Sequence, residues 1–572
     1  MGRLKNYLRP YWGYMILTMV IKLAGAGMEL LIPDLMETIL DVKVPAGDET
    51  SVYIYGGLML LCALLGLAFN ILANRMSAVS SGKITLAIRR DLFRKLESLS
   101  AHQMDELTVS SAESRLTSDT YNINQMLARL QRLGIRAPIL LIGGMFMMMR
   151  MDPVLALVLL ALLPIIALVV YLVTKKSLPL YTKQQGVLDR VVRTVQENIT
   201  GIRVIKALSK TDYEKGRFNA VNEELTAVDR KAGTVTAITN PTATLVLNLG
   251  LTMVVLVGAF RVNAGEIKSG VIVAFLQYFT MILNAMLGIT RIFVMWSKGQ
   301  ASANRVADVM ETEQDLTLKP AGDGPAGMAC IEFKDVRFSY TGIGVNADGI
   351  SFRLEKGQTL GILGPTGSGK STILNLMMRL YDADSGQVLI DGRDIRTIPQ
   401  QELRAKFGVV FQNDFIMEGT IADNIRFFRD IPDEAVATAA EFAQAEFIAE
   451  KEGGMDAEVH VRGNNLSGGQ KQRLLIARAL AAKPEILVLD DASSALDYRT
   501  DARLRRALRE NFRDTTTVLV AQRVSSLRHA DVILVLQDGA VIGAGNHAHL
   551  MESCEEYRII AETQMGDGEE DL

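Results

Sequence analysis

The run GPTGSGKST, Gly364 to Thr372, has the residue types and spacing needed to hold phosphate. Gly364, Gly367 and Gly369 let backbone N–H groups wrap an anion, with Thr366, Ser368 and Thr372 completing the loop. Lys370 is placed to reach the β and γ phosphates of a nucleotide, and the Ser371 hydroxyl to ligate Mg²⁺. The apolar run TLGIL precedes the loop and the helix-like ILNLMMRLY follows it, so the start of a helix adds its positive end. A second run, EILVLD, reads as a buried strand that delivers Asp490 as a carboxylate for Mg²⁺. A third, LSGGQKQR, places Ser467, Gly468, Gly469 and Gln470 at the start of a helix. That makes an anion site which the chain's own phosphate loop cannot use, so it is expected to face a nucleotide held by another subunit.

These residues need an α/β frame, and the chain from Ile331 onward supplies one, with short β-like runs alternating with helical ones. The part before about residue 300 differs. Hydrophobic residues make up 49% of the 572, and the excess sits there. The chain is too long for one core. Four uncharged runs are long enough to cross a bilayer: Ser51 to Asn74, Pro153 to Thr174, Ala232 to Phe260 and Ser269 to Thr290. Tyr11 to Leu40 and Ala137 to Met149 are weaker candidates, which makes six expected spans. Long charged segments follow spans two and four, and Arg89, Arg90, Arg94 and Lys95 with the basic N-terminus place them in the cytoplasm. An even number of spans then returns the chain to the cytoplasm for its second half.

Several charges fall within the spans. Lys22 lies about 16 Å beyond Tyr11 at helical rise. Arg129, Arg132 and Arg136 share one helix face, and Arg291 sits near the inner end of the sixth span. Pairing or snorkelling accounts for such residues in general, and a water-filled cavity suited to anionic or amphipathic cargo is the sharper alternative. Met145 and Met147 to Met149 read as packing. Asn240-Pro241 is expected to loosen the fifth span. The net charge of −3 suggests no nucleic-acid partner. Cys62, Cys330 and Cys554 are too far apart in sequence for a metal motif and read as free thiols. No cleavable signal is evident at the N-terminus.

Phosphate loop, strand aspartate and signature together resemble an ABC transporter half-subunit of the exporter type over nearly the whole chain. The resemblance implies an all-α six-helix transmembrane domain, then an α/β P-loop ATPase (ABC nucleotide-binding) domain with an α-helical signature subdomain. The expected boundaries are 1–311 for the membrane domain, 312–328 for a flexible linker, 329–565 for the nucleotide domain and 566–572 for an acidic tail. The spans, with cytoplasmic extensions, are placed at about 11–40, 51–78, 114–150, 153–200, 226–261 and 268–305. ATP and Mg²⁺ are the implied cofactors, and two halves are expected to sandwich two ATP molecules head to tail. Tyr340 matches the aromatic that stacks on adenine, Gln412 the glutamine that touches Mg²⁺, and Asp497 a loop crossing the dimer interface. Coupling helices are expected near Ser100 to Ser110 and Ser209 to Arg217.

The sequence departs from the family pattern at three places. Asp491 stands where the water-orienting glutamate is expected, Gln522 where the switch histidine is expected, and His460-Val461 where a glycine-glutamate pair is usual. Aspartate is shorter by one methylene, about 1.5 Å, and a misplacement of about 1 Å costs on the order of 100-fold in rate. Glutamine donates a hydrogen bond but stays neutral. The resemblance is therefore to the degenerate-site subunit of bacterial heterodimeric ABC multidrug exporters, in the cytoplasmic membrane. The expected partner is a second half-transporter with intact glutamate and histidine, and the expected cargo a small hydrophobic substrate, lipid or peptide. An ATP-gated regulator or channel, or a slow homodimeric exporter, has the same architecture.

Overall fold

The computed structural model describes residues 3–320, 329–342, 344–412 and 415–565. They form two compact units. One holds the residues up to Glu97 and Ser110–Thr312; the other holds Ser98–Val109 and the residues from Glu313 onward.

The first unit is helical. Its long helices are Trp12–Thr38, Glu49–Ser98, Thr120–Met151, Pro153–Thr200, Thr211–Ala237, Thr239–Asn263 and Ser269–Glu311. Among the described residues, four helical segments are long and apolar enough to cross a membrane: Lys5–Lys43, Glu49–Ser98, Val109–Met151 and Ser269–Met286. The expected spans within Pro153–Thr200 and Thr239–Asn263 include side chains outside the described set, as does Arg291. Ile54, Leu58, Leu60, Leu61 and Leu64 of the second helix are exposed, an apolar surface that a bilayer covers. Inward, Leu30, Leu140, Met148, Phe275, Tyr278, Phe279 and Ile282 pack as one core. Met148 is fully buried within it and Met145 and Met147 lie against it, while Met149 is exposed.

Polar anchors fix the ends of these helices. The Asp41 carboxylate accepts from the backbone N–H groups of Gly270 (2.6 Å) and Val271 (3.0 Å), capping helix Ser269–Glu311. Asp152 caps helix Pro153–Thr200 through Leu155 N–H at 2.7 Å and pairs with Arg261 at 2.9 Å. The fifth span is interrupted at Ile238, and Pro241 falls in the first turn of the resumed helix, where its missing N–H has no intrahelical partner to lose. The short helix in the second long connection is Ile202–Ala207, earlier than the expected Ser209–Arg217. Ser209 has φ +52°, which breaks the helix there, and residues from Thr211 begin the next long one.

The second unit has a six-stranded sheet whose order is Ala540–Gly545, Val532–Gln537, Thr359–Leu363, Thr516–Val520, Ile486–Asp490 and Phe407–Val410. Five of the strands run parallel, and Ala540–Gly545 is an antiparallel edge. The central ones are nearly continuous apolar runs because both faces are buried. A four-stranded antiparallel sheet contains Ala329–Phe338 and Ala347–Glu355, and a helical layer contains Asp433–Phe442 and Gly468–Ala481.

Helix Ala101–Leu107 also belongs to this unit, although it lies in sequence between two membrane helices. The Tyr381 hydroxyl donates to Asp105, and Ser100 Oγ donates to Asp315 at 2.7 Å. Burial, with the Asp105 hydrogen bond, pushes the Tyr381 hydroxyl well above the usual phenol range. The first part of the segment expected to be a flexible linker is held in place. Fully buried Arg379 donates to Thr317 O (2.7 Å), Gln103 Nε2 donates to Glu313 O (2.6 Å), and Lys319 N donates to Arg396 O (2.9 Å). Residues 321–328 and the tail 566–572 lie outside the described residues.

Candidate functional site

Strand register gathers the sequence-predicted residues at one edge of the sheet. Ile362 pairs with Val520, Val520 with Asp490, and Val410 with Leu489. The loop starting at Gly364, the segments bearing Asp491 and Gln522, and the turn bearing Gln412 therefore all leave the carboxyl ends of adjacent parallel strands. That is where open α/β sheets bind ligands.

The phosphate-loop run folds tightly between strand Thr359–Leu363 and helix Lys370–Met377. Glycine is required at two places. Gly369 has φ +99°, and a Cβ there would stand 2.6 Å from Asn346 O. A Cβ on Gly364 would strike Leu536 O and stand 2.6 Å from Ser368 Oγ. Ser368 Oγ is itself buried without a hydrogen-bond partner. Lys370 Nζ turns back on the loop, donating to Gly364 O (2.8 Å) and Pro365 O (2.7 Å). Burial pulls its ammonium below the usual lysine range, opposed by the charges of Asp490 and Asp491.

Ser371 Oγ donates to Asp490 Oδ2 at 3.3 Å. Burial pushes the Asp490 carboxyl above the usual range; the Ser371 hydrogen bond opposes this, and the Asp491 charge adds to it. A hydroxyl and a carboxylate side by side are hard oxygen donors of the kind Mg²⁺ takes. Among the described residues no group of three or more acidic, histidine or cysteine side chains could hold a metal by itself. Water and nucleotide phosphates must then supply the rest of the shell, as is usual for Mg²⁺.

Asp491 has φ +51°, a left-handed backbone that aspartate tolerates better than most residues. Its N–H donates to Val520 O at 2.9 Å, and its carbonyl accepts from Ser494 Oγ at 2.9 Å. Burial pushes its carboxyl up, while the charges of Lys370 and Arg523 pull it down. Gln522 is exposed, and its carbonyl accepts from Gln564 Nε2 at 2.8 Å. Gln564 Oε1 also accepts from Val524 N–H at 2.7 Å, so one side chain of the last helix brackets the Gln522 segment. Gln412 is exposed in its turn. Tyr340 is half-buried, edge-on to Phe338 and Tyr381 at 4.8 and 5.0 Å, and its hydroxyl accepts from Asn375 at 3.0 Å.

Ser467, Gly468, Gly469 and Gln470 open helix Gly468–Ala481, with Ser467 and Gly468 exposed. Ser467 Oγ accepts from Gln470 N–H (3.3 Å) and Gln470 Oε1 from Ser467 N–H (2.9 Å), a reciprocal cap. Asp497 caps the next helix, Tyr498–Asn511, through Thr500 N–H (3.0 Å) and the Thr500 hydroxyl (2.7 Å), which hold its carboxyl below the usual range. Two residues given no role on sequence grounds tie these parts together. Gln472, inside the LSGGQKQR run, accepts from Ala495 N–H at 2.9 Å and donates to Ser494 Oγ at 3.0 Å. Gln564 has no motif around it, and nothing in the sequence marks it.

The family profile described as "ABC transporter transmembrane region" matches residues 15–286, and that described as "ABC transporter" matches residues 347–494. The chain is 33% identical over 570 residues to an uncharacterized ABC transporter ATP-binding protein, YfiB, of Bacillus subtilis (strain 168), covering 99% of each chain. It is 33% identical over 483 residues to a fatty acid ABC transporter ATP-binding/permease protein of Mycobacterium tuberculosis (strain CDC 1551 / Oshkosh), covering 83% of this chain and 76% of the relative. A bacterial Atm1-family ABC exporter with ATP bound shares the fold at a TM-score of 0.81 and 24% identity, covering 99% of each chain. The chain belongs to the ABC transporters, with a helical membrane region fused to an ATP-binding domain. It is a multi-pass membrane protein that uses ATP with Mg²⁺.

Proposed function

We propose that this chain is one subunit of a heterodimeric, six-span ABC exporter in the bacterial cytoplasmic membrane, moving a hydrophobic or amphipathic substrate outward. Its own ATP site binds nucleotide and hydrolyses it slowly, while its signature completes the partner's faster site. The observation that carries this is the pairing of a short, left-handed Asp491 and a neutral Gln522 with an intact, exposed signature on the same domain. Two copies of this chain would place good signatures against two poor sites. A partner with its own glutamate and histidine makes use of both halves.

In this reading the loop N–H groups from Gly364 to Gly369 and the ammonium of Lys370 hold the phosphates, and Tyr340 packs on the base. Lys370 must release the Gly364 and Pro365 carbonyls to do so. Ser371, Asp490 and Gln412 would hold Mg²⁺, which would supply charge neutralisation for the phosphates. Asp491 accepts a proton-bearing water less well than a glutamate because its carboxyl stops about 1.5 Å short. Asp497 and the Ser467–Gln470 cap face the partner. Helix Ala101–Leu107, tied to Tyr381 and Asp315, takes the place the resemblance gives to a coupling helix.

The test is the intact mass of the complex drawn from native membrane in mild detergent through a tag on this chain. A second half-transporter of different mass is expected, carrying a glutamate after its own strand aspartate. A complex of two identical chains overturns the heterodimer, and a slow homodimeric exporter or an ATP-gated regulator then takes its place.

A further inference from the structure

A cavity of about 460 Å³ lies within the membrane unit, lined by Lys22, Glu29, Asn70, Asn74, Arg129, Arg132 and Arg136, with Leu133 and Ile292. Four cations and one carboxylate line it. The carboxylate is already engaged: Glu29 accepts from Arg136 at 2.8 Å and from Asn70 at 3.0 Å. Among the described residues, the hydrogen bonds of Lys22 and Arg132 go to neutral groups. Buried Lys22 donates to the amide oxygens of Asn70 (2.5 Å) and Asn74 (3.3 Å), and Arg132 donates to the Ser77 hydroxyl at 3.4 Å. Arg129 is exposed toward the space. Among the described residues no carboxylate pairs with Lys22, Arg129 or Arg132.

Uncompensated cations within a membrane unit are costly and mark binding paths. Snorkelling explains a cation that reaches headgroups, but Lys22 is only 4% exposed and is turned toward Asn70 and Asn74 in the bundle. Three cations without a carboxylate ion pair among the described residues converge from helices Trp12–Thr38 and Thr120–Met151, with Leu133 and Ile292 beside them.

We propose that this cavity binds the anionic headgroup of an amphipathic cargo, a carboxylate or phosphate on an apolar tail, with Arg129 and Arg132 as its main contacts and Lys22 as a third. Arg136 is spent on Glu29 and positions the wall. This rests on the exporter reading above and narrows its cargo to amphipathic anions. A forked guanidinium suits either headgroup, since both present two oxygens in one plane.

The test uses the complex as purified from its membrane, reconstituted in vesicles, and three probes with one fluorescent tail: a dansylated fatty acid, its methyl ester and a quaternary-ammonium analogue. The acid is expected to bind at least about 10-fold more tightly than the ester, and the Arg129→Gln/Arg132→Gln variant to weaken it on the order of 10- to 100-fold. Arg129→Lys/Arg132→Lys, which keeps the charge but loses the fork, should retain an intermediate affinity, and MgATP binding should be unchanged in both. ATP-dependent movement of the acid, lost in the Gln variant, completes the result. Equal binding of acid and ester overturns the proposal, as does an unchanged affinity in the Gln variant. Tight binding of the acid without ATP-dependent movement assigns the cavity to a resident anionic lipid and overturns the cargo assignment. Movement of the cationic or neutral probe alone removes the anionic class but leaves the exporter reading standing. Failure of all three probes to move, with MgATP bound, counts against the exporter reading itself.

Discussion

Replacing Asp491 by glutamate, alone and with Gln522→His, tests the proposal that Asp491 and Gln522 make this ATP site slow. The added methylene carries the carboxyl about 1.5 Å farther from the backbone. A placement error of about 1 Å costs on the order of 100-fold, or about 2.7 kcal/mol in the barrier. The backbone opposes the change. Asp491 sits at φ +51°, and glutamate there lacks the short polar side chain that eases the left-handed conformation, at a cost of about 1 kcal/mol in stability. The expected gain is therefore on the order of 10-fold for Asp491→Glu and on the order of 100-fold for the pair. The assay is single-turnover hydrolysis of ATP held at this site, in the full complex with the catalytic glutamate of the proposed partner changed to glutamine. Unchanged hydrolysis in the pair, with MgATP still bound and the protein folded, refutes side-chain length and charge as the cause.

Gly369→Ala should abolish MgATP binding, measured with a fluorescent nucleotide, because its Cβ would press on the Asn346 carbonyl at 2.6 Å with φ at +99°. Gln564→Ala removes both hydrogen bonds that bracket the Gln522 segment, and about 1–2 kcal/mol of local stability should go with them. Hydrogen exchange at Gln522–Leu527 should quicken while the sheet is unaffected. Asp490 gives a pH dependence. Its carboxyl is raised above the ordinary 3.8 in the nucleotide-free fold, so its contribution to stability is full below that value and is lost as pH rises through the raised one. MgATP needs the carboxylate, so its affinity should rise with pH over the same interval, and Asp490→Asn should flatten both profiles. Ser467→Ala removes the cap of helix Gly468–Ala481, costing about 1 kcal/mol, and should slow steady-state turnover by the complex with little effect on ATP binding to this chain.

The amino-acid sequence by itself determined the two kinds of architecture and the local form of the phosphate loop. Apolar runs of bilayer length and β-like runs alternating with helices are local patterns, read from residue spacing alone. The phosphate loop is equally local, since Gly364 and Gly369 answer to the backbone shape of one turn. Asp491 and Gln522 were visible as departures only against the pattern of the family that the motifs resemble. Tertiary structure decided the rest. Which segments meet at the sheet edge follows from the pairing of Ile362, Val520 and Asp490 across separate strands. Gln564 reaches Val524 over 40 positions, and Ser100 reaches Asp315 over 215. The cationic cavity is of the same kind. A helix face of three arginines is legible in sequence, but its pairing with Glu29 and its convergence on Lys22 depend on how helices pack, 107 positions apart for Arg136 and Glu29. Hydrogen bonds and charge pairs act over a few ångströms of space regardless of sequence separation, so only the folded chain reveals which charges are answered and which are left for a ligand.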